Sequence, residues 1–285
     1  MAIELKKPMP SNKKAEIFSY SFTHTGKVRK ENEDSLRMCN PEDEFTSVNG
    51  HLYCIADGMG GYALGSKASS IAVETFFDTF YDSYGATPIQ KLKAGIQNAN
   101  LSVYQTAQKL GVGRMGTTLT AINLVENTLY IGHVGDTRAY LIRNNTATCL
   151  TNDHTRVGEL VRMKVLPKEN LRTHNQRSVL NKCIGFNLFL QPDIFKRTVQ
   201  SEDIIIMCSD GVWSIIEDDE FLELSNSTKD PEQLSKNIGE LALGREHDDN
   251  LTVIVVYISK LADIDSSKER KKLNIFPRMF NRFDK

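Results

Sequence analysis

The sequence predicts an α+β fold in which helices are laid over mostly antiparallel sheets. Short runs rich in β-branched and aromatic residues recur along the chain between turn signals, which is typical of antiparallel strands. A few longer segments instead repeat apolar residues at helical spacing, so each has one apolar stripe to bury against a sheet. A chain of 285 residues with 40% hydrophobic side chains can enclose a large core.

The predicted strands are six to nine residues long, as strands usually are. Asn144 and Asn145 separate two of them, and asparagine tolerates the left-handed backbone of a tight hairpin turn. The predicted strands are residues 17–23, 51–56, 117–124, 128–134, 137–143, 203–208 and 251–259.

Three amphipathic helices are predicted, at residues 68–84, 89–110 and 231–243. The third has the clearest start, because Asp230 can cap it and Pro231 suits the first helical position. Helices of this kind need a partner surface, which the strands supply.

The chain reads as one domain with basic ends. No internal repeat or low-complexity linker divides residues 16–259, whereas residues 1–15 are a basic extension and residues 260–285 are a basic, aromatic tail. Residues 155–183 carry seven basic and two acidic side chains and are predicted to be an inserted flap. The flap favours an extended acidic substrate, although charged loops are often merely solvated.

Composition excludes several classes of protein. The formal net charge of −1 leaves no global attraction to nucleic acid, so no nucleic-acid partner is expected. The five cysteines form no CxxC pair, which argues against a disulfide framework or a zinc site and favours a reducing compartment. There is no signal peptide or membrane-spanning run, so we expect a cytoplasmic protein.

Acidic residues stand at the ends of several predicted strands. A single one would suit a turn, but their joint occurrence indicates carboxylates that converge at one edge of two packed sheets. An oxygen-only cluster selects hard ions such as Mg²⁺ or Mn²⁺, which can activate water for attack on phosphorus. Gly58 lets the backbone approach such an ion, and Arg29 offers a fork for phosphate. The acids are Glu33, Asp34, Asp57, Asp136, Asp210 and Asp249.

At these positions the sequence resembles the metal-dependent protein phosphatase family, the protein phosphatase 2C class, in its compact bacterial form. Eight motifs occur in the family's order and together are specific. They are GKVRKENEDS, DGMGG, MGTTLT, HVGDTRAYL, LTNDHT, RSVLNKCIG, CSDGVW and DDNLT. The resemblance implies a four-layer α-β-β-α sandwich of two antiparallel sheets flanked by helices.

The resemblance also implies a role for each acid. Asp57 would bridge two metal ions, the Gly58 carbonyl would bind one of them, and Asp210 and Asp249 would bind the other. Asp136 would help Asp210 to hold a third, weaker ion.

Other residues would act around these ions. Glu33 and Asp34 would hold metal-bound waters, and Arg29 would clamp the substrate phosphate. Asn250 and Ser209 would support the ligands from behind.

The proton donor for the leaving group stays open. Many eukaryotic members have a histidine where this chain has Met59. His154 and His174 are candidates, but each also suits a structural role, in a turn or on the exposed flap.

The function implied is a serine/threonine protein phosphatase that uses two or three Mn²⁺ or Mg²⁺ ions and a metal-bridging hydroxide. Its partners would be phosphorylated proteins and a cognate serine/threonine kinase, and it would act as a monomer. Two alternatives stay open: a non-catalytic phosphoprotein-binding member, and a phosphomonoesterase of small metabolites. The tail could contact a partner or an anionic membrane surface.

Overall fold

The computed structural model describes residues 15–59, 64–113 and 115–262. Both chain ends that the sequence singles out therefore lie almost entirely outside the described residues. The strands are β1 (Glu16–His24), β2 (Asp34–Met38), β3 (His51–Asp57), β4 (Leu119–Val125), β5 (Thr128–Val134), β6 (Arg138–Arg143), β7 (Thr146–Cys149), β8 (Asp193–Thr198), β9 (Asp203–Cys208) and β10 (Leu251–Lys260).

The helices lie between the strands singly or in groups of two or three. They are α1 (Glu44–Asn49), α2 (Gly65–Asp82), α3 (Pro88–Leu110), α4 (Arg156–Arg162), α5 (Asn170–Thr173), α6 (Asp210–Trp213), α7 (Asp218–Ser227) and α8 (Pro231–Gly244).

The strands of the described residues form two five-stranded antiparallel sheets. The first has the order β1-β10-β9-β6-β7 and the second has the order β2-β3-β4-β5-β8. Helices α7 and α8 cover the outer face of the first sheet, and α2 and α3 cover the outer face of the second. The four-layer α-β-β-α sandwich is confirmed.

Side-chain alternation along β9 shows how the layers are held. Ile204 and Ile206 belong to the core under α7 and α8, whereas Ile205 and Met207 belong to the core between the sheets. Both faces of this central strand are therefore buried, which explains its unbroken apolar sequence. Burial of these two apolar layers is the main force that holds the sheets together.

Sequence periodicity located the long elements well and the short edge elements poorly. The hairpin at Asn144 and Asn145 is present, with φ of 49° and 57°. Strand β8 was missed because it is an edge strand of exposed and half-buried residues with little alternation. The predicted helix at 68–84 began three residues late and ran two residues too far, because α2 spans Gly65–Asp82, and Tyr84 beyond its end is 81% exposed. Leu110, the last residue of α3, is 44% exposed.

No disulfide forms among the described residues, which include all five cysteines. No helix in the described ranges is long and apolar enough to cross a membrane.

A buried ion pair joins β6 to the segment after β7. Arg138 Nε donates to Asp153 Oδ1 at 2.9 Å and Nη2 donates to Oδ2 at 2.7 Å, with both side chains almost wholly buried. The Arg138 guanidinium also lies 3.5 Å from the centre of the Trp213 ring. Such a pair stabilises little in net terms, but loss of one partner leaves a charge without a counterion in the core.

We expect Asp153→Ala to destabilise the protein by about 3–5 kcal/mol, because Arg138 stays charged and buried. The double variant Arg138→Met/Asp153→Leu should lose clearly less stability, since neither buried charge remains without a partner. Urea unfolding of the three proteins measures both effects. Equal losses in the single and double variants would contradict the prediction.

Candidate active site

The second sheet brings Asp34 and Asp57 together. Asp34 opens β2, Asp57 closes β3, and the two are cross-strand partners in the antiparallel register. The Gly58 amide donates to the Glu33 carbonyl at 3.0 Å, which extends the pairing by one step. A Cβ on Gly58 would lie 2.3 Å from the Gly65 carbonyl oxygen, so only glycine fits this close approach.

The first sheet supplies Asp210 and Asp249 from neighbouring strands. Asp210 begins α6 directly after β9 and Ser209, and Asp249 lies just before β10. The Ser209 hydroxyl donates to Asp34 Oδ2 at 2.8 Å, and this hydrogen bond ties the two sheets together at the site. Ser209 thus supports a predicted ligand directly.

Electrostatics show that the carboxyl groups converge. Burial raises the pKa of Asp34 to about 7, with further upward contributions from Asp210 and Asp249. Burial and then repulsion from Asp34, Asp210 and Asp136 raise the pKa of Asp57 well above its usual value. The pKa of Asp136 is raised well above its usual value by burial and by Asp210. Like charges this close need a proton or a cation between them.

The arrangement fits divalent cations. Asp34 Oδ1 is buried and has no hydrogen-bond partner. Burial and then repulsion from Asp249 raise the pKa of Asp210 to about 6. As the described residues stand, no three His, Cys, Asp or Glu side chains form a group that could hold a metal ion together. A cation would offset the charge of these acids, and an oxygen-only donor set suits Mg²⁺ or Mn²⁺.

Arg29 lies at the rim and pairs with one of the predicted ligands. Its Nη2 donates to Asp249 Oδ2 at 2.9 Å, and its Nε donates to the Asp248 carbonyl at 2.8 Å. The Arg29 side chain is 37% exposed. In this structure Asp249 is thus neutralised by Arg29, whose predicted partner was the substrate phosphate.

Asn250 fixes the loop that carries Arg29 and Glu33. Its Oδ1 accepts from the Glu33 amide at 2.8 Å, while its Nδ2 donates to the carbonyls of Thr25 and Glu31. The side chain therefore holds the loop from both sides. The pKa of Glu33 is raised mainly by burial.

Two threonines hold the backbone of Asp57. The Thr117 hydroxyl donates to the Asp57 carbonyl at 2.8 Å, and the Asp57 amide donates to Thr118 Oγ1 at 2.9 Å. Both threonines are buried. They act on main-chain atoms and leave the carboxyl oxygens of Asp57 available.

His247 supports the acids of the site, and the sequence did not reveal this role. The Asp249 amide donates to His247 Nδ1 at 3.0 Å, and His247 Nε2 lies 3.3 Å from Ser214 Oγ. The Ser214 amide in turn donates to the Asp210 carbonyl. His247 thereby links the backbones of Asp210 and Asp249. The sequence signal that could have indicated this role is the position of His247 two residues before Asp249, where its side chain can accept a hydrogen bond from the Asp249 amide.

His154 has a structural role, and its ring is not free to act as the proton donor. Its Nδ1 accepts from the Gly135 amide at 3.1 Å, its own amide donates to the Gly135 carbonyl, and its Nε2 pairs with Asp193. Both ring nitrogens are occupied, so His154 is placed to hold the turn before Asp136. The Trp213 indole donates to the Asp136 carbonyl at 2.8 Å and holds the other side. On the flap, His174 Nδ1 accepts from the Gln176 amide, a local turn contact.

The flap is docked on the first sheet's helices by part of its own charge. Arg172 donates to the carbonyls of Trp213 and Ile216 and pairs with Asp218, which Lys168 also contacts. A third flap cation, Lys182, pairs with Asp193 outside the flap. Part of the flap's positive charge is therefore neutralised internally and is not available to a substrate.

Comparison with known proteins identifies the family of the chain. The family model for protein phosphatase 2C matches residues 18–164. The serine/threonine phosphatase Stp of Listeria welshimeri is 29% identical over 239 residues, which are 82% of this chain and 93% of that protein.

Solved structures extend the likeness to the fold. The crystal structure of the Mycobacterium tuberculosis serine/threonine phosphatase PstP/Ppp has a TM-score of 0.74 at 30% identity, over 85% of this chain and 98% of that one. A structure of the PstP catalytic domain with two manganese ions has a TM-score of 0.73 at 28% identity, over 87% and 99% of the two chains. The chain belongs to the protein phosphatase 2C family, and it is a metal-dependent serine/threonine protein phosphatase.

Proposed function

We propose that this phosphatase hydrolyses phosphoserine and phosphothreonine in proteins at the cluster of Asp34, Asp57, Asp136, Asp210 and Asp249. The observation that supports the assignment is the convergence of these acids: burial and mutual repulsion raise the pKa values of Asp34, Asp57, Asp136 and Asp210, so a cation would stabilise their ionised forms. Mg²⁺ or Mn²⁺ ions bound there supply Lewis acidity, which lowers the pKa of water and offsets charge on the phosphoryl group.

The ligands are assigned as follows. Asp57 and the Gly58 carbonyl would hold one ion, Asp57 together with Asp210 and Asp249 would hold a second, and Asp136 with Asp210 would hold a third. Asp34 and Glu33 would orient water in the site. The cross-strand pairing of Asp34 with Asp57 and the Ser209 bridge support this arrangement.

Arg29 binds the phosphate of the substrate. It stands at the rim beside Asp249, and its planar guanidinium can donate two parallel hydrogen bonds to phosphate oxygens. Asn250 keeps its loop in place. Binding of phosphate at the rim directs the phosphorus toward the acids below.

The wider context follows from the same chemistry. We propose a monomer with one catalytic domain over residues 16–259 that reverses a serine/threonine kinase in the cytoplasm. The basic, aromatic tail at 260–285 is proposed to contact a partner or an anionic membrane surface, and it lies outside the described residues beyond residue 262.

Asp57→Asn and Asp210→Asn should each lower kcat on a phosphothreonine peptide at least about a hundredfold, because charge stabilisation at the phosphoryl group is lost. A chelator should have the same effect on the parent protein. Asp219→Asn, an exposed acid on α7, is the matched control and should keep full activity. Comparison of kcat/KM for phosphopeptides and small phosphomonoesters tests the substrate class. Undiminished turnover in either site variant would refute the assignment.

His247→Ala should weaken Mn²⁺ binding by about 10–100-fold, because Asp249 loses the contact that fixes its backbone. His247→Asn should restore most of the affinity, since an asparagine side chain can accept the same amide two residues on. Titration calorimetry with Mn²⁺ alone measures both. Equal affinity of the alanine and asparagine variants would count against a positioning role.

The metal-free protein should lose stability between about pH 4 and about pH 7, the interval between the ordinary and the raised pKa of Asp34. A carboxyl whose pKa is higher in the folded state binds its proton more tightly there, so its stabilisation is present at low pH and disappears as pH rises through the folded pKa. Asp34, raised from 3.8 to about 7, sets the upper part of that window. Saturating Mn²⁺ should make the protein more stable as pH rises, because the ion binds the ionised carboxylates.

Melting temperatures across this pH range, with chelator and with Mn²⁺, provide the measurement. Asp34→Asn should flatten the metal-free profile. A metal-free protein that becomes more stable as pH rises would show that the acids are not close enough to repel.

A further inference from the structure

A cavity lies at the end of the phosphatase's second sheet that is far from the acids. It has a volume of about 560 Å³ and is bounded by α1, the α2–α3 connection and the start of α3. The start of β3 and the end of β4 form this end of the sheet, whereas Asp57 ends β3 at the other. Strand β3 has seven residues, so the distance between the two ends is about 20 Å. The cavity is therefore distinct from the phosphatase site.

The base of this cavity contains an uncompensated cation. Lys91 is only 7% exposed, and its Nζ donates to Asn49 Oδ1 at 2.7 Å and lies 5.5 Å from the centre of the Phe80 ring. No ion pair involving Lys91 occurs within the described ranges of the chain. A buried ammonium without an anion is costly and is usually paired.

A buried acceptor beside it is also unsatisfied. Asn123 is fully buried and lines the same cavity. Its Nδ2 donates to the carbonyls of Asn49 and His51, which fixes the amide orientation and leaves Oδ1 without a partner. Buried side-chain acceptors are seldom left unbonded, so the packing behind the cavity leaves one polar atom without a partner.

The walls above are apolar and open to solvent. Phe45 is 53% exposed, Val48 is 74% exposed and Tyr84 is 81% exposed, and all three line the opening together with Pro88. Cavities of this size with apolar walls and a few convergent polar groups are typical of small-molecule sites. Glu44 is exposed among the lining residues and disfavours an anion near the opening, so an anionic group is directed to Lys91.

We propose that this cavity binds a small organic anion with a flat apolar body, such as an aromatic carboxylate. Its anionic group pairs with Lys91 at the base, and its apolar body packs against Phe45, Val48 and Tyr84. The site is separate from phosphate hydrolysis and does not depend on the metal ligands.

Calorimetric titration of the full chain with 2-naphthoate, in the presence of chelator, tests the site. We expect saturable binding to one site per chain and weaker binding of the neutral 2-naphthamide. Lys91→Met should weaken 2-naphthoate binding at least about tenfold, the effect of losing one charged hydrogen bond. Lys93→Met, an exposed lysine two residues further along α3, should leave it unchanged.

Further variants distinguish this site from the catalytic one. Val48→Asp should weaken binding by adding a negative charge at the opening without touching the base, so it tests the site even if Lys91→Met unfolds. Asp57→Asn should bind 2-naphthoate as the parent does. Absence of saturable binding, equal affinity of the Lys91 and Lys93 variants, or a crystal soak that shows the probe elsewhere would overturn the proposal.

Discussion

Repulsion among buried carboxyl groups is the interaction on which the organisation of this protein depends. Asp34 and Asp57 come from one sheet, Asp210 and Asp249 from the other, and Asp136 from the connection between them. The sandwich brings together charges that would otherwise stay apart, and the apolar burial of two cores is what holds them there. The raised pKa values are the cost of this arrangement, and divalent cations offset it.

The groups around the acids mostly form hydrogen bonds with the main-chain atoms of these acids and leave the carboxyl oxygens available. His247 accepts from the Asp249 amide, Trp213 donates to the Asp136 carbonyl, and the threonines beneath Asp57 contact its amide and carbonyl. Fixed backbones make the carboxylates converge without using their oxygens, which suits ion binding. The buried Arg138–Asp153 pair connects this support to the rest of the first sheet through the Trp213 ring.

The second sheet has chemically different ends. At one end Asp34, which begins β2, and Asp57, which ends β3, repel one another. At the other end Lys91 has no ion-pair partner among the described residues, and Asn123 Oδ1 has no hydrogen-bond partner. The strands and α2 hold these two ends apart. The proposed anion site therefore lies on the same scaffold as the acids but at the opposite end of the sheet.

The sequence by itself determined the fold class, the long helices and strands, and which acids stand at the ends of strands, because periodicity and strand-end aspartates are local signals. It could also place Asn250 and Ser209, which lie next to those acids in the chain. It could not reveal His247 as a link between two acids, the pairing of Arg29 with Asp249, or the occupied ring nitrogens of His154. Those contacts join residues distant in sequence or depend on the direction of a side chain, and only the packing of the two sheets decides them.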